Sequence, residues 1–237
     1  MITLFVAFAG RDFCLKTILK AIDNLDYPKN KLKIVFCDTS SRDEFFKRLK
    51  SWLEKKPYAD KKIIRYIQNV VLKGDEIFDN CIKMRNISRM YEDTKKFIDT
   101  DLVFYVEDDI EIPPDSLKKL LPIMDDSDVV MATGRVMSRF APNKVRWSQA
   151  LWYNKKDKVW YCLPPKDEGI ERVEGSTWGC SLAKTKVIKD MCLNNYSYPD
   201  WGQDAIFADK LRKTKKKIMI DWSIFCGHHD YTGKIFK

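Results

Sequence analysis

The stretch "FYVEDDIEIPPD", residues 104–115, sets an apolar run against three consecutive acids and closes on a proline pair. Phe104, Tyr105 and Val106 continue from Leu102 as a strand that reads as buried on both faces, the kind found in parallel sheets. In extended backbone Glu107 and Asp109 point one way and Asp108 the other, so two carboxylates share one face. Negative charge gathered at the end of a buried strand is costly unless a cation joins it, and parallel sheets bind ligands outside the carboxyl ends of their strands. A divalent metal is therefore expected. Oxygen ligation with room for water suits Mn2+ or Mg2+, ions that usually grip phosphate. The same acids also have a plainer use, capping the helix after Pro114 or pairing with arginines.

Outward from this strand, the first half of the chain alternates between two periods. A strand over residues 2–9 is followed by a helix from about Asp12, with Cys14, Ile18, Ile22 and Leu25 on one stripe. A second strand, 32–37, precedes a helix carrying Phe45, Leu49, Trp52 and Leu53, where Ser41 and Glu44 have capping-box spacing. A third strand, 63–68, precedes a helix over 76–91, and the acidic strand follows. This β-α alternation predicts an α/β fold with a largely parallel sheet covered on both faces. After Pro113-Pro114 come a short helix (115–121) and a strand (129–133), and then the alternation stops. "LWYNKKDKVWY" (151–161) reads as an antiparallel hairpin, and the chain returns to a helix near 204–212 and a strand near 218–225. Without repeats or a linker of biased composition, one domain over 1–237 is expected.

Composition narrows the class. At 45% hydrophobic residues in 237, the chain can bury a substantial core. Its seven cysteines are odd in number and form no C-x-x-C pair, which argues against a disulfide framework or zinc site and for reduced thiols. No leader-like or membrane-length apolar segment is read, so a soluble, cytoplasmic protein is expected, with peripheral membrane contact left open. The net charge of +9 is spread along the chain. Its densest cluster, Arg212, Lys213, Lys215, Lys216 and Lys217, reads as a solvated helix end before a nucleic-acid or lipid contact.

Two further features bear on a site. In the third helix Phe78, Cys81, Ile82 and Arg85 fall at i, i+3, i+4 and i+7, which puts a guanidinium on the expected core stripe. Arg85 then pairs with Glu107 or Asp108, or meets a donor phosphate or base. "AFAGRD" (7–12) holds one glycine, so neither a G-x-G-x-x-G turn nor a P-loop is present, and phosphate binding falls to metal and side chains.

Taken in order, these elements resemble the nucleotide-sugar-dependent glycosyltransferases of the GT-A fold, particularly the broad family 2. The resemblance runs through the small-residue turn at Ala7 to Arg11, Asp38 ending the second strand, Arg85-Asn86, and the D-x-D-like Glu107-Asp108-Asp109. It continues through "EGSTWGCSLAKTKVI" (174–188), "DWGQDAIFADKL" (200–211) and "IMIDWSIFCGHHD" (218–230). It departs at Glu107, where aspartate is commoner, and at "GQD", where "ED" is frequent. The resemblance implies a nucleotide half (1–112) and an acceptor and catalytic half (113–237). Phe8, Ala9 and Arg11 would line the nucleotide pocket, Asp38 would receive the base, and Glu107 and Asp108 would approach ribose and sugar. Asp109 would bind the metal, with a histidine as second protein ligand.

His228 and His229 are the chain's two histidines, and adjacent residues on extended backbone face opposite sides, so at most one reaches the metal. The family pattern after Cys226-Gly227 selects His228. Asp204, at the start of an amphipathic helix, either complements the helix dipole or serves as general base for the acceptor hydroxyl; the resemblance favours the base and an inverting transfer. Trp178, Gly179 and Trp201 are the candidate acceptor contacts, because small residues beside tryptophan leave room for a sugar ring to stack. The expected activity is a metal-dependent hexosyl or pentosyl transfer from a nucleotide sugar, UDP preferred, to a glycan, lipid-linked or other hydroxyl acceptor. Two other classes fit parts of the chain: a metal-dependent nucleic-acid-binding or nuclease-like protein, and a catalytically silent sugar-nucleotide-binding module.

Overall fold

The computed structural model describes residues 1–68, 74, 76–139, 147–194 and 201–237, and of residues 76–78 the backbone alone. The first half runs β1 (Ile2–Phe8), α1 (Asp12–Asp23), β2 (Leu32–Asp38), α2 (Asp43–Glu54), β3 (Asp60–Arg65), α3 (Glu76–Thr94) and β4 (Leu102–Glu107). Next come β5 (Ile110–Glu111), α4 (Ser116–Ile123), β6 (Val129–Arg135), β7 (Ala150–Asn154), β8 (Val159–Cys162), β9 (Ile170–Val173) and β10 (Gly175–Ser176). The chain ends with β11 (Cys180–Lys184), α5 (Thr185–Asp190), α6 (Gln203–Leu211), β12 (Lys217–Phe225), β13 (Gly227–His229) and β14 (Ile235–Phe236).

The main sheet has the order β3-β2-β1-β4-β11-β6-β12-β9. β3, β2, β1 and β4 pair in parallel, as do β6 and β12, while β11 and β9 run against their neighbours. Two small antiparallel sheets, β10-β7-β8 and β14-β13-β5, flank it. Side-chain alternation along β1 divides the core. Leu4, Val6 and Phe8 face α1 and α2, meeting Ile18, Phe45 and Leu49, whereas Phe5 faces the other layer with Tyr91, Tyr105, Trp178 and Phe207.

Two local expectations are corrected. β3 spans Asp60–Arg65 rather than 63–68, because parallel pairing with β2 runs from Lys33↔Asp60 to Asp38↔Arg65. As the sheet's outer strand it carries exposed Asp60, Lys61 and Lys62, charges that hide an edge from further pairing and disguised the strand as loop. The capping box of Ser41 and Glu44 does not form: Arg42 precedes α2, no side chain caps it, and Asp43 and Glu44 instead place negative charge in its first turn.

Candidate active site at the switch point of the sheet

From β1 the chain steps outward to β2 and β3, then returns to the other flank of β1 as β4. The strand order thus reverses between β1 and β4, the position at which open α/β sheets form a crevice. A cleft of about 770 Å³ lies there, walled by Ala7, Ala9 and Arg11 after β1 and by Glu107 and Asp108 at the end of β4. α3 contributes Met84 and Tyr91, and α6 contributes Gln203.

The turn after β1 aims Arg11. Gly10 has φ +81°, and a Cβ there would sit 2.8 Å from Ser40 Cβ, so glycine suits both the left-handed backbone and the close approach of the β2 end. The Ala9 N–H donates to Asp108 Oδ2 at 2.8 Å, tying β1 to the acidic turn. Arg11 pairs with Asp108 and lies 3.4 Å from Asp109 Oδ2. Burial opposes the Arg11 charge, but Asp108, Asp109 and Glu107 outweigh it and raise its pKa further.

The acids do not alternate as extended backbone would require. β4 ends at Glu107, and Asp108-Asp109 form a turn before β5, so Glu107 and Asp108 share the cleft while Asp109 faces Arg11, Arg139 and His228. Glu107 accepts from Thr177 Oγ1 at 3.0 Å, and Gly179 packs behind it, where a Cβ would come within 2.9 Å of Ile110 Cγ1. Burial, with the charges of Asp109 and Asp204, pushes the Glu107 carboxyl up to about 7. Burial also pushes Asp108 up to about 6, outweighing its Arg11 partner, with Asp109 adding to the rise. Asp109 goes the other way: burial opposes its charge, but His228, Arg11 and Arg139 together hold it below the usual range.

These shifts carry a sign. A carboxyl whose pKa is higher folded than unfolded keeps its proton longer in the native state, so stability falls as pH rises through the interval between the two values. For Glu107 that interval runs from 4.5 to about 7 and for Asp108 from 3.8 to about 6. Thermal melts of the metal-free chain at constant ionic strength should show this contribution declining from about pH 4 to pH 7, and Glu107→Gln should flatten the upper part of the slope. An unchanged slope in that variant would refute the assignment.

His228 is buried in β13, which pairs with β5. Its Nδ1 lies 2.7 Å from the Met137 carbonyl, which can only accept, so Nδ1 carries a proton, and Nε2 lies 3.5 Å from Asp109 Oδ2. A carbonyl on the far nitrogen is the usual support of a metal-ligating histidine, and 3.5 Å is longer than a hydrogen bond. A carboxylate and an imidazole nitrogen side by side fit a divalent ion that takes its other ligands from substrate and water. No group of three or more His, Cys, Asp or Glu able to hold a metal occurs among the described residues. His229 points away, with Nε2 3.0 Å from Glu111 Oε2.

Asp204 opens α6, its Oδ1 accepting from the Ala205 N–H at 2.8 Å. Burial raises its pKa although that N–H holds it back, and its charge acts on both Glu107 and Tyr91. Asp38 is fully buried at the end of β2; Ser40 N donates to its Oδ1 at 2.9 Å and its Oδ2 has no hydrogen-bond partner among the described residues. The next residue, Thr39, lines the cleft. Trp201 is half-buried and its carbonyl accepts from Ser88 Oγ at 3.5 Å.

Three sequence expectations fail here. Phe8 points into the core between Phe36 and Phe45, since β1 alternation gives the cleft face to Ala7. Arg85 is exposed and makes no ion pair with a described residue. The buried face of α3 runs through Ser88, Met90, Tyr91 and Thr94, rotated from the stripe read in its first turns, and the Phe78 side chain lies outside the described residues. Trp178 is fully buried, stacked on Tyr105 at 4.4 Å and edge-on to Tyr91 and Phe207, so no sugar ring can reach it. Asp200 also falls outside the described residues.

The sequence reading missed Arg139, Tyr91, Tyr66 and Gln68. Arg139 Nη1 donates to Asp109 Oδ2 at 2.8 Å and to the His229 carbonyl at 3.1 Å. Gln68 donates its amide to the Asn86 carbonyl at 3.1 Å and Tyr66 its hydroxyl to Asp93, which pins one wall of the cleft. Tyr91 alone had a signal, as an aromatic of α3 seven residues beyond Met84 on the same helical face.

Solved structures share this fold. GalNAc-T7 with UDP, GalNAc and Mn2+ aligns with a TM-score of 0.65 over 96% of this chain and 43% of that one, at 11% identity. The chain has the GT-A fold. The mannosyltransferase PcManGT from Pyrobaculum calidifontis, in complex with GDP-Man and Mn2+, aligns at 0.59 over 93% of this chain and 56% of its own, at 16% identity. S. aureus TarS 1-349 aligns at 0.58 over 92% and 57%, at 14% identity. The chain thus spans about half the length of the solved structures it matches. No protein-family model and no curated protein matches it. No helix among the described residues is long and apolar enough to cross a membrane.

Proposed function

We propose that this GT-A chain is a metal-dependent glycosyltransferase that moves a hexose or pentose from a nucleoside-diphosphate sugar, UDP preferred, to a hydroxyl on a glycan, lipid-linked or other acceptor. Residues 1–112 would hold the donor and 113–237 the acceptor. The observation that carries this reading is a cleft at the strand-order reversal lined by Arg11, Glu107 and Asp108, with Asp109 against Arg11 and His228 beside Asp109. A silent binding module would share that cleft, and turnover separates the two.

Asp109 and His228 would hold Mn2+ or Mg2+, which when bound would neutralise charge on the departing diphosphate. Asp204 takes the proton from the acceptor hydroxyl. The acceptor oxygen forms its bond to the anomeric carbon as the bond from that carbon to the diphosphate breaks, the electron pair leaving with the diphosphate. A single displacement of this kind inverts the anomeric centre. Arg11 offers a second positive charge to the donor, and Asp38, buried behind the cleft-lining Thr39, would meet the base side of the pocket. Glu107, held by Thr177, is oriented to accept from a sugar or ribose hydroxyl. Tyr91, whose ring packs against Phe5, Tyr105 and Trp178, turns its hydroxyl toward the charges of Glu107 and Asp204.

The nuclease-like alternative draws less support. Arg212 and Lys213 pair with Asp209, Lys216 with Asp128 and Lys217 with Asp126, so most of the basic cluster is balanced by local acids.

A panel of nucleotide sugars with Mn2+ tests the proposal by melting temperature and by release of nucleoside diphosphate. One donor should stabilise the chain only with Mn2+ and be turned over when an acceptor is added; stabilisation without turnover against any acceptor would favour the silent module. Tyr91→Phe keeps the ring packing, so its melting temperature should stay within about 2 °C of the parent. Its transfer rate should fall about tenfold, because the hydroxyl that would donate to bound substrate is gone. A parent-like rate would leave Tyr91 a purely structural residue.

A further inference from the structure

The β7–β8 hairpin lies outside the cleft and presents aromatic residues on both faces. Register pairs Trp152 with Tyr161 and Asn154 with Val159, while Leu151 opposes Cys162 and Tyr153 opposes Trp160. Pleating puts the first two pairs on one face and the second two on the other. The Tyr153–Trp160 face is covered: the rings pack at 5.1 Å and the Arg212 guanidinium at the end of α6 lies 4.1 Å over Tyr153. The opposite face is open, with Trp152 45%, Val159 45% and Tyr161 48% exposed. At the tip, Lys155, Lys156 and Lys158 are exposed and make no ion pair with a described residue, and Asp157 is held by Asn154 Nδ2 at 2.7 Å.

We infer that this hairpin docks on an anionic lipid surface, with the Trp152–Tyr161–Val159 face against the headgroup boundary and the tip lysines on the acidic headgroups. Tryptophan and tyrosine prefer that boundary because each joins a large apolar ring to a polar tip, and lysine extends its ammonium to the phosphates while its stem stays in apolar surroundings. Each lysine near such a surface contributes about 1 kcal/mol of attraction. A second copy of the chain fits less well, since it would bring a net charge of +9 against the same hairpin. A polynucleotide would satisfy the lysines and stack on the rings, but it gains nothing from Val159, which a bilayer buries along with them. The inference is independent of the proposed chemistry, because none of these residues lines the cleft.

Co-sedimentation of the full chain with phosphatidylcholine vesicles, with and without phosphatidylglycerol, tests it. Binding should require phosphatidylglycerol and weaken with added salt. Lys155→Gln/Lys156→Gln/Lys158→Gln should weaken it on the order of a hundredfold. Trp152→Ser/Tyr161→Ser should weaken it about tenfold or more, because the uncharged arm of the attraction is lost. Both sets change exposed side chains, and an unaltered melting temperature together with unaltered donor-induced stabilisation would establish that the fold and cleft survive. On addition of acidic vesicles the parent's tryptophan fluorescence should shift to the blue, and the Trp152→Ser/Tyr161→Ser variant, which lacks Trp152, should not show that shift. Failure to bind acidic vesicles, binding unaffected by either variant, or preferential capture of a single-stranded oligonucleotide by the same residues would each overturn the inference. So would a dimer in sedimentation that dissolves in the serine variant.

Discussion

Asp204→Asn is expected to leave donor binding within about twofold and to slow sugar transfer by roughly a hundred- to ten-thousandfold, the usual loss when a positioned general base is removed. The substitution is mild for the fold. An asparagine oxygen can still accept the Ala205 N–H that now holds Asp204 Oδ1 at 2.8 Å, so the first turn of α6 keeps its partner. What disappears is the carboxylate. Burial raises its proton affinity, which suits a base that must take a proton from a hydroxyl near neutral pH. If Asp204 only complemented the helix dipole, the variant would lose about 0.3–1 kcal/mol of stability and nothing of the rate. Single-turnover measurement of released nucleoside diphosphate, paired with a melting curve, separates the two roles. A parent-like rate would remove Asp204 from the chemistry.

The second large effect concerns Asp109. In the parent, a Mn2+-dependent donor at a hundred times its dissociation constant should stabilise the chain by about 2.7 kcal/mol, a rise of roughly 5–10 °C in melting temperature. Asp109→Asn should abolish that metal-dependent rise. It should also lower the basal melting temperature, because Arg139 at 2.8 Å and Arg11 at 3.4 Å would face a neutral amide in a buried position. His228→Gln is the control: it removes the imidazole nitrogen facing Asp109 without stripping the arginines of their counter-charge. Loss of the Mn2+ response in both variants supports a shared ion. A full response in His228→Gln would leave Asp109 without its partner, and a full response in both would end the metal assignment.

Much of the scaffold was legible before the structure. The strand periods around Leu4, Ile34 and Phe104 announced a parallel sheet because each strand is buried on both faces. The order of the acidic strand end, the late "EGSTWGC" stretch and the histidine pair foretold the GT-A fold, which the solved structures share. Errors arose where neighbours, rather than local pattern, set the outcome. Trp178 reads as a sugar platform in isolation, yet it fills the layer between Tyr105, Tyr91 and Phe207. Arg85 reads as buried from the first turns of α3, yet the packed face of that helix is set further on, at Met90 and Tyr91. The charges on β3 looked like loop because an edge strand needs them.

By itself, the sequence determined the alternation of strands and helices, the burial of most apolar residues, and the concentration of negative charge at three adjacent acids after a buried strand, since these follow from local periodicity and from charge density along a few residues. Only the tertiary structure decided how the acids divide, with Glu107 and Asp108 on the cleft and Asp109 toward His228 and Arg139, and which aromatics are core and which are left open on the hairpin. Those outcomes depend on groups brought together from distant parts of the chain, Arg139 to Asp109 across 30 positions and His228 to Met137 across 91, and no short-range pattern encodes them.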